Sequence, residues 1–522
     1  MPQKKLIPTY NNKILIFFLA ITAFLINYYY GFIGVMPMDN TVLFNGGYRI
    51  LKGYIPFTDY WLVTGPLLDY LNAFFFKALG VSWNTYIIHS SIINSLLALS
   101  SFYFFKKNDL SFRFSLIYAF LISVLFYPVV GTPFVDHHST FFMIISFYGL
   151  ILAVKTNNTN YFFFIPSLLS LSFLSKQTPG GYGIIVISFF ILIISLLDKN
   201  KGFEILKKSL GGSLFAILFL FLFFFLTKIN FNDFFQQYIS FGSSIGKARL
   251  NNYDFNLINE INKYKFISVF LISLIIILIR LKLKNLLKIK DFFIITISIS
   301  LTVILLFHQM ISLNQNFIFF LIPFLCGVTH LYYKKVFDLN YFLVVLIITC
   351  FISVGKYHLR FNEERKFNEL ENIDLSRAID AKILNEKLKG LKWITYLSPK
   401  DPKKEIKNLT KAISIFKEDK SNKILITEYQ VIPPIIDIYD NSPNQWHHPS
   451  VSFPLRGNNY YEIYQKYFIS KIKKKKIKTI YEIRKEEKII TALVLDEKCF
   501  KKERVGEMLI KIDLDFSCSE LK

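Results

Sequence analysis

The chain predicts a polytopic α-helical membrane protein followed by an extracytoplasmic α/β domain. Two observations carry this. Over 522 residues, 53% are hydrophobic and the mean hydropathy is +0.39, with apolar runs near 20 residues recurring through the first two-thirds. Such runs are long enough to cross a hydrocarbon core of about 30 Å. After residue 355 the composition shifts abruptly to alternating charged and apolar residues, in a segment of normal size for one α/β domain. The expected division is therefore 1–355 in the membrane and 356–522 outside it.

Apolar windows predict about eleven spans: 14–34, 83–105, 112–130, 138–154, 160–175, 180–197, 209–227, 264–280, 291–308, 315–333 and 338–355. The window 160–175 is short and is expected to tilt or pack inside the bundle. The first span follows "PQKK" with no small-residue cleavage site after it, and reads as a retained helix. With the N-terminus inside, 18 Lys and Arg before residue 356 fall on the inner side and 9 on the outer, which favours a cytoplasmic N-terminus. Eleven spans then put the tail outside. The segments 35–82, 131–137, 176–180, 228–263 and 309–314 share that outer face. Seven of the twelve acids before residue 356 lie on it: Asp39, Asp59, Asp69, Asp136, Asp233, Asp254 and Glu260. A site is expected there. The net charge of +24 is assigned to bilayer anchoring; no nucleic-acid module is visible.

The first outer loop, 36–80, is long and aromatic and is expected to cover a cavity. "NTVLFNGGYRILKG" reads as an amphipathic helix able to lie in the membrane interface, and "PLLDYLNAFFF" as a second helix. Asp39 sits at the entry of this loop, either as a helix cap or as a functional carboxylate. "GTPFVDHHSTFF" (131–142) puts Asp136, His137 and His138 at the mouth of a span, where ionisable groups usually have a task or a partner. Asp136 and His138 suit a divalent metal ion or a direct phosphate contact; the plainer alternative is a cap with two interfacial histidines. Lys176 and Gln177 in "SKQTPGG" end the next span. Lys176 is either a phosphate-pairing ammonium or a snorkelling lysine. Further phosphate candidates are Arg49, Lys247 and Arg249, and 231–249 reads as an amphipathic lid. His308, Gln309, Asn314, Gln315 and Asn316 form a polar cluster between two late spans.

In the tail, "WITYLS", "KILITEY", "TIYEI", "IITALVL" and "MLIKIDL" read as strands, alternating with helices near 403–418 and 458–474. Residues 361–392 have helical spacing. "IYDNSPNQWHHPSVSFPLRGNNYY" (438–461) is a polar-aromatic loop whose Trp446, His447 and His448 either order the loop or contact a sugar or the membrane mouth. Cys326 and Cys350 fall in apolar spans. Cys499 and Cys518 would pair only in an oxidising compartment and only if the fold brings them together.

The Asp after the first span, the Tyr48–Arg49 helix, "GYIPFTDY", "GPLLDYLNA" before "LG", "VDHHS", "SKQTPGGYG" and "NFIFFLIPF" together resemble the GT-C glycosyltransferases, the group containing protein mannosyltransferases and aminoarabinose transferases. The resemblance covers about residues 10–355. It departs at Asn40, where many relatives carry an acid after the Asp. It implies transfer of a sugar from a polyprenyl-phosphate donor to an envelope acceptor on the outer face of the plasma membrane, the bacterial inner membrane. Asp39 would be the catalytic base. Tyr48, Arg49, Asp59, Asp136, His138, Lys176 and Gln177 would bind substrate, with Asp136 and His138 as the metal candidates. The chain lacks a G-x-S-x-G elbow, a Walker loop and a G-x-G-x-x-G turn. An envelope polymerase or ligase, or a lipid-linked sugar flippase, are the competing classes. A flippase predicts charges near the bilayer midplane and repeated halves, whereas the ionisable residues here gather at one face.

Overall fold

The computed structural model describes residues 10–312, 318–338, 340–438, 441–484 and 489–521. Among them, nine helices are long and apolar enough to cross a membrane. The first ten helices are α1 (Tyr10–Tyr30), α2 (Pro37–Leu51), α3 (Leu67–Leu79), α4 (Trp83–Lys107), α5 (Phe112–Leu125), α6 (Val135–Thr156), α7 (Asn160–Ser175), α8 (Gln177–Leu197), α9 (Gly202–Thr227) and α10 (Gly242–Asn251). The bundle is completed by α11 (Lys265–Leu283), α12 (Ile289–Ser312), α13 (Leu321–Val336) and α14 (Tyr341–His358). Each of the eleven windows falls on a helix, but α7 and α13 have only 16 residues each. At 1.5 Å per residue they reach about 24 Å, short of the core thickness. α13 is almost wholly buried, as a helix shielded from lipid can be. In contrast, Phe221 and Phe225 on α9 are 69% and 80% exposed. A helix that is apolar all round and turns such side chains outward is a lipid-facing span; the chain is a multi-pass membrane protein.

Local chemistry sets the ends. Ser82 and Ser111 cap α4 and α5 by accepting from the N–H of Thr85 and Phe114. Pro37 opens α2, and Gly80, at φ +85°, closes α3.

α2 does not lie free in the interface. Ten of its fifteen residues are buried, between α3 on one side and the tail on the other. The periodicity that reads as a membrane-surface stripe instead meets protein. Gly46 marks the tightest approach: a Cβ there would stand 2.0 Å from Asp69 Oδ1 and 2.2 Å from Gln445 Nε2.

The tail begins inside α14, which runs past residue 356 into a wide turn at Leu359–Glu363. Residues 361–392 form successive short turns rather than a helix, three of them started by a side chain, Asp374, Asp380 or Asn385, accepting a nearby N–H. Strands β1 (Ile379–Asp380) and β2 (Lys392–Trp393) pair antiparallel. A second sheet joins β3 (Lys423–Thr427), β4 (Thr479–Ile483), β5 (Phe500–Arg504) and β6 (Leu509–Leu514) in the order β3-β4-β6-β5, with β3 and β4 parallel. Helices α15 (Pro402–Glu418) and α16 (Tyr461–Lys474) flank it. "IITALVL" is not a strand: the buried Glu482 carboxylate accepts from the N–H of Ile490 and Thr491, which curls this run into a turn. β5, a charged edge strand, carries no apolar alternation to announce it. Cys499 and Cys518 form a disulfide, Cα atoms 5.1 Å apart.

Tail and first loop share one hydrophobic core, in which Leu43, Phe44 and Tyr60 meet Trp393, Tyr429 and Ile432. The chain leaving α1 adds to β2: Gly34 N–H donates to Lys392 O and Val35 N–H to Ile394 O, both at 3.0 Å. Arg365, 1% exposed, ties the junction together by donating to the carbonyls of Ile33 (3.0 Å), Pro128 (2.7 Å) and Val130 (3.0 Å). Arg365→Leu would strand three buried acceptors and is expected to cost about 3 kcal/mol or more, read as a lowered unfolding temperature of the detergent-solubilised protein; an unchanged temperature would contradict this role.

Candidate functional site

The predicted outer segments converge on one cavity of about 990 Å³. It is lined by the start of α2 with Asp39, by 61–64, by Asp136 at the start of α6, by Lys176 to Thr178, by α10 with Lys247 and Arg249, by the end of α12 with His308, by 366–369 and by the tail loop 445–452. Its walls are mainly apolar with a few convergent polar groups, the pattern of a ligand site.

The charged end is built around Asp136. This residue is 1% exposed, and Lys176 Nζ donates to its Oδ1 at 2.6 Å and Oδ2 at 2.7 Å. His308 Nε2 stands 2.8 Å from Oδ1. Three elements thus meet at one carboxylate, and Lys176 is an ion-paired residue rather than a snorkelling one. Arg249 from α10 acts electrostatically on the same carboxylate.

The Asp39 carboxylate makes no hydrogen bond among the described residues. It does not cap α2; that work falls to its neighbour, because Asn40 Oδ1 accepts from Met36 N–H at 2.7 Å while Asn40 Nδ2 donates to Thr132 Oγ1 at 3.0 Å. Asp39 is left facing the cavity. Desolvation by the surrounding protein, with the negative charge of Asp136 second, pushes its carboxyl up to about 7, against the opposing pull of Lys176.

His138 is corrected on both counts. Positions i and i+2 on a helix diverge by about 200°, so His138 points into the bundle while Asp136 faces the cavity. Its Nε2 lies 3.0 Å from His89 Nε2 and its Nδ1 is engaged by the Tyr127 hydroxyl. His137 likewise turns inward, to Phe126 O at 3.1 Å. A metal at Asp136 and His138 does not fit these residues: both imidazole nitrogens are taken, and the Lys176 ammonium already meets both oxygens of Asp136, where a cation would sit. No group of three or more metal-ligating side chains occurs among the described residues.

Tyr48, Arg49 and Asp59 also lie away from the cavity lining. The Tyr48 hydroxyl donates to Asp437 Oδ1 at 2.7 Å. Arg49 donates to Asn444 O at 3.1 Å and sits over the Tyr60 ring at 4.8 Å. Asp59 accepts from Ile55 N–H at 2.8 Å. All three hold the first loop in shape or bind it to the tail. Gln177 lines the cavity, but its amide is committed to Val63 O (2.8 Å) and Tyr238 O (2.7 Å), linking α8 to the segment before α10. Of the late polar cluster, His308 lines the cavity, Gln309 is buried away from its lining, and Asn314, Gln315 and Asn316 lie outside the described residues. Segment 231–249 is helical with one wide turn at Phe235–Phe241. Trp61, Lys366 and Glu369 also line the cavity, and no local pattern singles them out.

Among known proteins, no family model matches the chain and no curated protein matches it. Solved structures that it resembles include the oligosaccharyltransferase AglB of the archaeon Archaeoglobus fulgidus in complex with an inhibitory peptide and a dolichol-phosphate. The identity is 13%, the TM-score 0.45, and the match covers 91% of this chain and 70% of that one. A crystal structure of the Archaeoglobus fulgidus oligosaccharyltransferase in complex with zinc and sulfate is similar at 12% identity and a TM-score of 0.42, covering 89% and 68%. At these TM-scores the likenesses carry no argument about this chain.

The charges around Asp39 set two shifts of opposite sign. Lys176→Met should raise the Asp39 pKa above about 7, and Asp136→Asn should lower it. Isotope-edited infrared titration of the Asp39 carboxyl checks both; shifts of the same sign would refute the arrangement.

Proposed function

We propose that this protein transfers a sugar from a polyprenyl-phosphate-linked donor to a cell-envelope acceptor. In this reading residues 1–355 form a GT-C-like membrane unit, and 356–522 an outer α/β unit docked on its first loop. The site faces the outside of the bacterial inner membrane, with the N-terminus cytoplasmic. The Cys499–Cys518 pair accords with an oxidising, extracytoplasmic tail.

The observation that carries the proposal is an unbonded carboxylate, Asp39, lining the same cavity as the cations Lys176, Lys247 and Arg249. Transfer needs both. Asp39 accepts the proton of an acceptor hydroxyl as that oxygen bonds to the sugar's anomeric carbon. The bond from that carbon to the phosphate oxygen breaks on the opposite face, so the configuration inverts. Polyprenyl phosphate departs with the bonding electrons, its charge balanced by the cations. A base with a pKa near the working pH is effective in such a step. Asp136 acts as a positioning residue by holding the Lys176 ammonium. Phe307, Ile311 and Tyr182 give the lining an apolar side suited to the first prenyl units. No step is routed through a metal.

The test is sugar transfer from polyprenyl-phosphate donors by purified protein. Asp39→Asn should lose about 10²- to 10⁴-fold while remaining folded. Wild-type transfer should rise with pH to half its maximum at about 7, because only the deprotonated carboxylate accepts a proton. Undiminished transfer by Asp39→Asn would remove Asp39 as the base.

A further inference from the structure

α10 brings Lys247 and Arg249 to the cavity lining, yet none of its residues is fully buried. Protein holds it at its start. A Cβ on Gly242 would stand 2.6 Å from Gln177 Nε2, and Ile245 packs against the core of the tail. One residue later, a Cβ on Gly246 would meet nothing within 4 Å. From the end of α10 the chain runs through an exposed stretch into a short helix, Leu257–Lys263, and from there into α11. Phe255, Leu257, Ile258 and Ile261 are 59%, 60%, 70% and 44% exposed. None of these four belongs to or packs against a hydrophobic cluster among the described residues.

Helical rotation gathers three of them. At about 100° per residue, Leu257, Ile258 and Ile261 fall within an arc of about 100°, with Asn259 and Lys263 opposite. The segment's polar groups bond among themselves: Asn256 Oδ1 accepts from Asn259 N–H at 3.1 Å, the Tyr253 hydroxyl donates to Glu260, and Lys263 pairs with Glu260 at 4.0 Å. The apolar face is therefore left clear. Only Tyr264 separates the short helix from α11. On α11, Val269, Ile272 and Ile276 are 43%, 52% and 45% exposed, as on a span against lipid. α11 has 19 residues, about 28 Å, close to the thickness of the hydrocarbon core. Its first residue then stands at the edge of that core, and the helix just before it at the level of the headgroups.

We infer that residues 252–263 form a strap that docks on the lipid surface, with Phe255, Leu257, Ile258 and Ile261 inserted among the headgroups and upper acyl chains of the leaflet where α11 begins. An apolar face at that depth is the geometry of an interfacial helix, and its continuity with the lipid-facing side of α11 selects lipid over a soluble partner. The strap anchors the far end of α10, which protein leaves loose. Two of the cavity's cations, Lys247 and Arg249, thus stand on a helix held by protein at one end and by the bilayer at the other. This anchoring does not depend on the transferase reading.

The experiment places single nitroxide-labelled cysteines in the full-length protein, in nanodiscs of phosphatidylethanolamine and phosphatidylglycerol. The native cysteines do not compete, since Cys326 and Cys350 are buried and Cys499 and Cys518 are bonded to each other. Labels at Ile258→Cys and Ile261→Cys should collide more with oxygen, which partitions into lipid, than with a water-soluble nickel chelate. Labels at Asn259→Cys and at Lys498→Cys, an exposed tail position, should show the reverse ratio. Replacing Phe255, Leu257 and Ile258 together by Ser should free a label at Ala248→Cys on α10, read as narrowed spectral lines. The label at Lys498→Cys should keep its spectrum, which reports that the tail stays folded. A label at 258 that favours the nickel chelate overturns the inference. So does one sheltered from both reagents, the mark of a protein partner or a second copy. Unchanged lines at 248 in the triple variant would overturn the anchoring of α10.

Discussion

A carboxylate that is 1% exposed at the mouth of a membrane bundle must be paired, because burying an isolated charge costs several kcal/mol or more. Asp136 meets this constraint through Lys176 and His308, and the consequences reach most of the site. The pair fixes the start of α6 against the α7–α8 junction and the end of α12. It brings a fixed positive charge to the cavity without leaving it unpaired. It also supplies the negative charge that, after desolvation, keeps the neighbouring Asp39 carboxyl up at about 7. Two acids of one type thus take two roles by environment, one neutralised in an ion pair and one left able to exchange a proton.

The second organising feature is the merging of loop and tail. A loop of some 45 residues with two helices cannot bury α2 by itself. The tail supplies the missing surface through the added strand at Gly34 and Val35, the Arg365 junction and the Asp69–Gln445 contact packed against Gly46. The roof of the cavity is therefore made by residues nearly 400 positions from its floor. Trp446 is held relative to Asp39 by packed side chains, not by a tether.

Much of this was readable in advance, for physical reasons that differ by element. Hydrocarbon thickness imposes a long apolar run, so the windows fall on helices; α13 escapes the length rule because burial in protein relieves it, while α7 is short and only partly buried. Asp39, Asp136 and Lys176 were legible because ionisable groups beside apolar spans are conspicuous. His138 was misassigned because adjacency in a motif ignores the helical rotation between i and i+2. Tyr48 and Arg49 have the character of ligand contacts, but their partners lie in the distant tail, and the Asp59 carboxylate bonds within its own loop. Trp61 and Glu369 carry no local pattern at all, since their place at the cavity exists only after long-range closure. "IITALVL" has the pattern of a strand, yet a buried Glu482 claims its backbone donors.

The central claim is that the cavity lined by Asp39 and the cations receives a polyprenyl phosphate. The most direct measurement is an electron cryomicroscopy structure of the full chain saturated with polyprenyl monophosphate. The account predicts phosphate density in the cavity against Lys176, Lys247 and Arg249, with the prenyl chain leaving past Phe307 and Tyr182 toward lipid. Density for the phosphate elsewhere, or an unchanged cavity at saturation, would contradict it.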